Sequence, residues 1–200
     1  MRSFLLILLI CIGTYSSSLS SVRNPRSVRF GEGELVRLKR GEVLVRVDGH
    51  DSGSKRRVQA AILIDSPAQQ IWNIMVDCDR APEFVPGLRG CRVLHHHESM
   101  EIIEHRVKFS TLQPTVTYVF RALYQNLRRI DFIRVGGDFR ELEGSWILEQ
   151  INDRQTIVVY SVYLDPGFPV PQWLVRRILR GELRDFLLAL RNRVSELSQG

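Results

Sequence analysis

Long hydrophobic runs are what this 200-residue chain has least of. The longest, Phe4 to Ile12, is nine residues, against the ~20 that a membrane-spanning helix needs. Lysine is almost absent, occurring only at 39, 55 and 108, so the net charge of +6 is carried by arginine. Those arginines are scattered along the chain rather than gathered in a block, and no base-reading motif accompanies them. No nucleic-acid partner is expected; a solvated face, or a surface that meets anionic lipid headgroups, accounts for the charge. There is no nucleophile elbow, phosphate loop, paired-cysteine redox motif or metal signature, which removes the commonest enzyme classes. No cofactor is implied. Repeats and long linkers are missing too, so one domain is expected, and 44% apolar residues can supply its core.

Cysteine is scarce, with three residues, but their placement is informative. Cys11 lies inside the apolar run. That run follows Met1-Arg2 and precedes a small, polar stretch with Ser18-Leu19-Ser20, the order of a secretory signal peptide cleaved near residue 20. The expected organisation is therefore a signal peptide over 1–20, a flexible leader over 21–33 and a single domain over 34–198. Export, to a periplasm or the cell exterior, leaves Cys78 and Cys91 in an oxidising compartment. A bridge between them would close a short loop containing Pro82, Pro86, Gly87 and Gly90; two buried free thiols are the alternative.

Periodicity supplies the elements. Val43, Val45 and Val47 alternate with Glu42, Leu44 and Arg46, as a half-buried strand requires, and a second strand runs from Arg57 to Ile64. Asp65-Ser66-Pro67 then starts a short helix with Ile71, Trp72, Ile74, Met75 and Val76 on its apolar side. A second short helix falls around Arg80 to Val85. Six strands follow: 91–96, 101–112, 116–126, 129–135, 140–151 and 155–164. Strands this long and numerous form a sheet that curls as twist accumulates. A helix beginning near Pro171 runs almost to the end, with Leu174, Ile178, Leu179, Leu183, Phe186, Leu187, Leu190, Val194 and Leu197 in one stripe. Only the inner face of the curled sheet can cover a stripe of that length.

Two side-chain groups stand out. His95-His96-His97, with His105 on the next strand, suggests a metal site, but adjacent strand residues alternate faces and no Cys or carboxylate motif completes a ligand set. The run reads as a solvated strand end. The aromatic group is more informative: Tyr118, Phe120 and Tyr124 share one strand face, Phe132 sits on the next strand, and Trp146 and Tyr160 follow. Individually each fits ordinary core packing. Together, with Leu183 and Leu187 of the helix, they would make an apolar wall carrying a few hydroxyls, the usual lining of a small-molecule site. Gly144 near Trp146 marks either a close approach or a bulge. Glu104, Arg106, Asp131 and Arg134 are strand residues better placed to face water or pair across strands than to act as catalytic groups.

This order of elements resembles the START-like helix-grip domains. Particular stretches are similar to their polyketide cyclase/dehydrase and coenzyme Q-binding branch: Ala61 to Pro67 running into Ile71-Trp72-Asn73-Ile74, Asp77 to Gly87, Gly137 to Trp146, and Thr156 to Tyr160 followed by Asp165-Pro166-Gly167. The resemblance spans roughly residues 35 to 197. It implies an α+β fold in which a curved antiparallel sheet wraps a long C-terminal helix. It also implies a cavity between them for a lipid, quinone, sterol or aromatic polyketide. It implies no universal catalytic set, because fold does not fix function. The leading expectation is a non-catalytic binder or carrier of an apolar ligand. The alternatives are a cyclase, aromatase or dehydratase with an ionisable group in its cavity, and a protein-interaction module with an exposed apolar patch beside its arginines.

Overall fold

A computed structural model describes residues 28–48, 57–108, 114–165, 167 and 172–198, with the side chains of 47, 48 and 172–180 left undescribed. The expected signal peptide, most of the leader, and the side chains of Leu174, Arg176, Arg177, Ile178, Leu179 and Arg180 lie outside the described residues.

Among the described residues eight strands form one antiparallel sheet: β1 (Leu44–Asp48), β2 (Arg57–Ile64), β3 (Leu88–His97), β4 (Met100–Val107), β5 (Val116–Gln125), β6 (Arg129–Gly137), β7 (Glu141–Asn152) and β8 (Gln155–Asp165). Their order is β1-β2-β8-β7-β6-β5-β4-β3, so the last six strands are a meander whose final member pairs back onto β2. Among the described residues four helices accompany the sheet: α1 (Glu32–Lys39), α2 (Ala68–Met75), α3 (Ala81–Phe84) and α4 (Gln172–Ser198). This is the expected helix-grip architecture, with α4 packed on β1, β2, α2 and α3.

Alternation fixes which side chains face the helix. Val58, Ala60, Ile62 and Ile64 of β2, Leu142 and Leu148 of β7, and Val158 and Val162 of β8 are buried on the inner face with Leu183, Leu187, Leu190 and Val194 of α4. Leu197, placed in the same stripe by spacing, is instead exposed at the fraying end of the helix. α2 buries Ile71 and Trp72 in this core, and its start is held by the buried Thr156 hydroxyl donating to the Ser66 carbonyl at 2.9 Å.

The segment just before β1 is not a continuation of the leader or the strand but a helix, α1. Its first turn closes when the Gly31 N–H donates to the Glu34 carboxylate at 2.9 Å. Glu34 also pairs with Arg46 of β1. Acidic residues lie in the first turn and basic ones in the last, matching the helix dipole. Leu38 and Leu35 cover the outer face of the sheet, against Leu44, Ala61, Ile157 and Val159. This second, smaller core explains why β1, β2 and β8 carry apolar residues on both faces.

Two register shifts decide side-chain direction elsewhere. Val119 lies opposite Gly136 but Phe120 opposite Arg134, so Val135 is the extra residue of a bulge. Arg134 already lies on the inner face by alternation with Ile130 and Phe132; the bulge leaves Val135 exposed and places Gly136 opposite Val119. A shift between Val93 and His95 similarly leaves Leu94 exposed on edge strand β3.

Candidate functional site

The inner faces of β4 to β8 bring most of the predicted aromatic residues together. Tyr118 and Phe120 lie on β5, Phe132 on β6, Trp146 on β7 and Tyr160 on β8. Their rings form a chain of contacts: Tyr118 to Phe120 at 5.9 Å, Phe120 to Phe132 at 6.1 Å, Phe132 to Tyr160 at 5.8 Å and Tyr160 to Trp146 at 4.1 Å. Tyr124 is set apart. It packs edge-on against Trp72 of α2 at 6.1 Å, and its hydroxyl donates to the Glu101 carboxylate at 2.6 Å. Leu183 and Leu187 are buried on the sheet-facing side of α4.

Three residues join this wall that sequence patterns did not single out for it. Phe186 of α4 meets Trp146 at 5.2 Å, and Phe139, just after β6, meets Tyr118 at 5.0 Å. The third is His105. The β3–β4 register sets it opposite Cys91, while His95 lies opposite Ile102, so His105 does not join the exposed histidine run. It is instead the cross-strand partner of Tyr118, and its Nδ1 lies 3.1 Å from the Tyr118 hydroxyl, with its ring edge-on to Phe120 at 4.9 Å. Inward alternation from Ile103 was the signal that could have found it.

Electrostatics at this end are those of an enclosed, low-dielectric site. Burial pushes the His105 imidazole down to about 4, so it is neutral near pH 7. Burial likewise raises the Tyr118 and Tyr160 hydroxyls well above their ordinary value, and for Tyr160 proximity to Tyr118 adds to the effect. Although deep, neither tyrosine ring is fully covered, and the same holds for Phe120 and Trp146.

The polar strand residues mostly face outward. Glu104 accepts two hydrogen bonds from Arg92, at 3.1 and 3.2 Å, and Asp131 pairs with Arg129 at 2.6 Å. Arg106 lies across Gly90. Arg134 alone turns inward; its Nη2 donates to the Gly137 carbonyl, and its buried Nε has no partner. Gly144 marks a close approach and not a bulge, since pairing continues unbroken on both sides. A Cβ there would lie 2.4 Å from the Phe132 ring and 2.2 Å from the Ser161 carbonyl.

Cys78 and Cys91 are joined in a disulfide, tying the α2–α3 segment to β3. Two surface depressions are lined mainly by outward-facing strand residues, the second also touching Phe132. One, of about 320 Å³, is bounded by Gly90, Cys91, Arg92, Glu104 and Arg106; the other, of about 250 Å³, includes Arg57, Arg121, Leu123 and Ile133 on the outer face. Among the described residues no group of His, Cys, Asp and Glu could hold a metal, and no helix is long and apolar enough to cross a membrane.

A curved antiparallel sheet around a long final helix, with short helices beside it, defines the START-like helix-grip class. Within it, residues 64–191 match the family model described as polyketide cyclase/dehydrase and lipid transport, and the chain belongs to that family. A curated relative, the ribosome association toxin RatA of Pseudomonas aeruginosa, is 25% identical over 113 residues, covering 56% of this chain and 77% of its own. Among solved structures, a STAR-related lipid transfer protein from Xanthomonas axonopodis superposes with a TM-score of 0.65 at 16% identity, covering 84% of this chain and 97% of that one. The Zhui aromatase/cyclase from a Streptomyces species gives a TM-score of 0.62 at 13% identity, covering 70% and 93%. Likeness at these identities concerns the fold.

Proposed function

We propose that the protein is exported and holds an apolar small molecule between the sheet and α4, carrying it without chemical change. The carrying observation is the wall formed by Tyr118, Phe120, Phe132, Trp146 and Tyr160. Its rings are remote enough from solvent to shift the tyrosine hydroxyls, yet several retain uncovered surface. Deep rings that keep some uncovered surface are what an apolar space beside them would leave, and such a space stays dry until an apolar ligand fills it. The family's description includes lipid transport, which favours cargo of this kind. Export is supported by the Met1 to Ser21 pattern and by the Cys78–Cys91 disulfide, a bond that persists in oxidising compartments.

Native mass spectrometry of protein recovered from outside the cytoplasm tests this reading. The expected result is an added mass that organic extraction removes. Protein found only in the cytoplasm, or bare chain in every preparation, would overturn it. Delivery at a membrane surface fits the arginines of α4, of which Arg184 is exposed. Vesicle binding unchanged by Arg176, Arg180 and Arg184 substitution would remove that part.

A second reading has one specific observation behind it. His105, neutral and hydrogen-bonded to Tyr118 beside the aromatic wall, is an ionisable group of the sort that a cyclase or dehydratase needs. On that reading His105→Leu abolishes turnover of a polyketide-type substrate while sparing its binding.

A further inference from the structure

The aromatic wall is not chemically uniform, and its polarity is concentrated at one end. There the His105 imidazole and the Tyr118 hydroxyl are 3.1 Å apart, one on β4 and the other directly opposite on β5. Tyr160 brings a second phenol close to Tyr118, and Phe120 and Phe139 pack against the pair. We infer that this pair is the recognition pole of the cavity, selecting a flat, uncharged ring compound that carries a single hydroxyl or carbonyl group. The inference rests on the binding reading above and specifies its ligand class.

Both groups are neutral near pH 7, because burial disfavours the imidazolium and the phenolate alike. One hydrogen bond joins them, and it can run either way. If the Tyr118 O–H donates to Nδ1, the imidazole keeps an Nε2–H donor and the phenol oxygen keeps acceptor capacity. If Nδ1–H donates to Tyr118, the phenol O–H is free to donate and Nε2 is free to accept. In both tautomers one donor and one acceptor remain unspent. Among the described residues neither His105 Nε2 nor the Tyr160 hydroxyl has a hydrogen-bond partner. A ligand hydroxyl satisfies both vacancies and a carbonyl satisfies the donor. A carboxylate or phosphate finds no charge at this pole to offset its desolvation, so it is disfavoured there. The nearby rings offer stacking surface for the flat remainder of such a ligand.

The competing anchor is Arg134, whose buried Nε is unpartnered on the same inner face. An anionic ligand would be drawn to it instead, so the probe set separates the two. Naphthalene, 2-naphthol and 2-naphthoate are titrated against the oxidised protein at pH 7, with tryptophan fluorescence as the readout. 2-Naphthol should bind about tenfold more tightly than naphthalene, the value of one well-made hydrogen bond, and 2-naphthoate more weakly than 2-naphthol. Tyr118→Phe and His105→Leu should each lower the naphthol-to-naphthalene ratio, and the double variant should bring it close to one, while naphthalene still binds. In the unmutated protein, the ¹⁵N shifts of the His105 ring should move with 2-naphthol and not with naphthalene, a readout independent of how the variants fold. Equal binding of naphthalene and 2-naphthol, or His105 nitrogens that respond no differently to the two, overturns the pole. Tightest binding by 2-naphthoate also overturns it, and assigns the anchor to Arg134. Failure of all three probes to bind overturns the cavity reading itself.

Discussion

Breaking the Cys78–Cys91 bond should weaken the domain by an amount the chain topology sets. The two cysteines are separated by 13 positions. Cross-linking a loop of that size removes conformational freedom from the unfolded chain worth about 3 kcal/mol at 25 °C on the chain-entropy model. For a domain of this size that loss corresponds to a fall in Tm of roughly 6–12 °C. The folded state should tolerate the break, because the bridged segment has other attachments. The Lys108 N–H donates to the Gly87 carbonyl at 2.8 Å, Arg193 of α4 pairs with Glu83 of α3, and the apolar face of α2 is buried.

The assay is urea unfolding of the oxidised protein, the reduced protein and a Cys78→Ser/Cys91→Ser double variant, followed by tryptophan fluorescence. Trp72 reports on α2, which adjoins the bridge, and Trp146 on the sheet interior. If the effect lies in the unfolded chain, the reduced and double-variant curves coincide. Both should shift to lower urea with a larger m-value, because an uncrosslinked unfolded chain exposes more surface. A loss under about 1 kcal/mol would refute the loop-entropy account. So would a change of Trp72 fluorescence on reduction without urea, which would show that the bond holds the α2–α3 segment in place.

Three further outcomes follow from particular contacts. Gly144→Ala places a methyl against the Phe132 ring and the Ser161 carbonyl, so stability should fall by about 1–3 kcal/mol, read by denaturant midpoint. Leu38→Ala empties the small outer core and should cost about 2–5 kcal/mol, with hydrogen exchange accelerated first in α1. His105 binds its proton more weakly folded than unfolded, since burial lowers its pKa from an ordinary 6.5 to about 4. The unfolded chain therefore takes up the extra proton, and stability present above pH 6.5 is lost progressively as pH falls towards 4, by roughly 3 kcal/mol in all. Unfolding curves of His105→Leu should lack that contribution over the same window; an identical pH slope in both proteins would rule it out.

How much of this was legible in the sequence depended on whether the signal was local. β5 and β7 announce themselves because one buried face imposes period-2 alternation, β2 and β8 because they are apolar on both faces, and α4 because its stripe repeats at three and four residues. α1 was not legible: its packing rests on Leu35 and Leu38, too few apolar positions to show a period, and its start depends on a Glu34 carboxylate that also pairs with Arg46 of β1. The site was legible only in part. Tyr118, Phe120, Phe132, Trp146 and Tyr160 follow the alternation of their strands, and the shift between Val119 and Phe120 places its extra residue on β6 and turns none of them outward. Arg134 follows the alternation of Ile130 and Phe132, but its charge argued for water over the interior, and only the packed structure shows its Nε buried.

His105 shows where alternation alone is insufficient. The alternation of β4 places it inward with Ile103 and Val107, yet its sequence neighbours suggest a histidine cluster. Pairing decides between the two. Because Tyr118 is opposite and Phe120 edge-on, the imidazole has aromatic and hydrogen-bonding neighbours but no carboxylate within its described contacts to favour a charge. A neutral histidine in that setting keeps one donor or acceptor for whatever enters the space beside it. The same strand's Glu101, four residues earlier on the same face, is bonded to both Tyr124 and His96 and has its acceptors engaged. Two polar residues on one strand face thus differ: Glu101 has both oxygens engaged, whereas His105 shares one hydrogen bond and, on the reading proposed above, keeps its second ring nitrogen for a ligand.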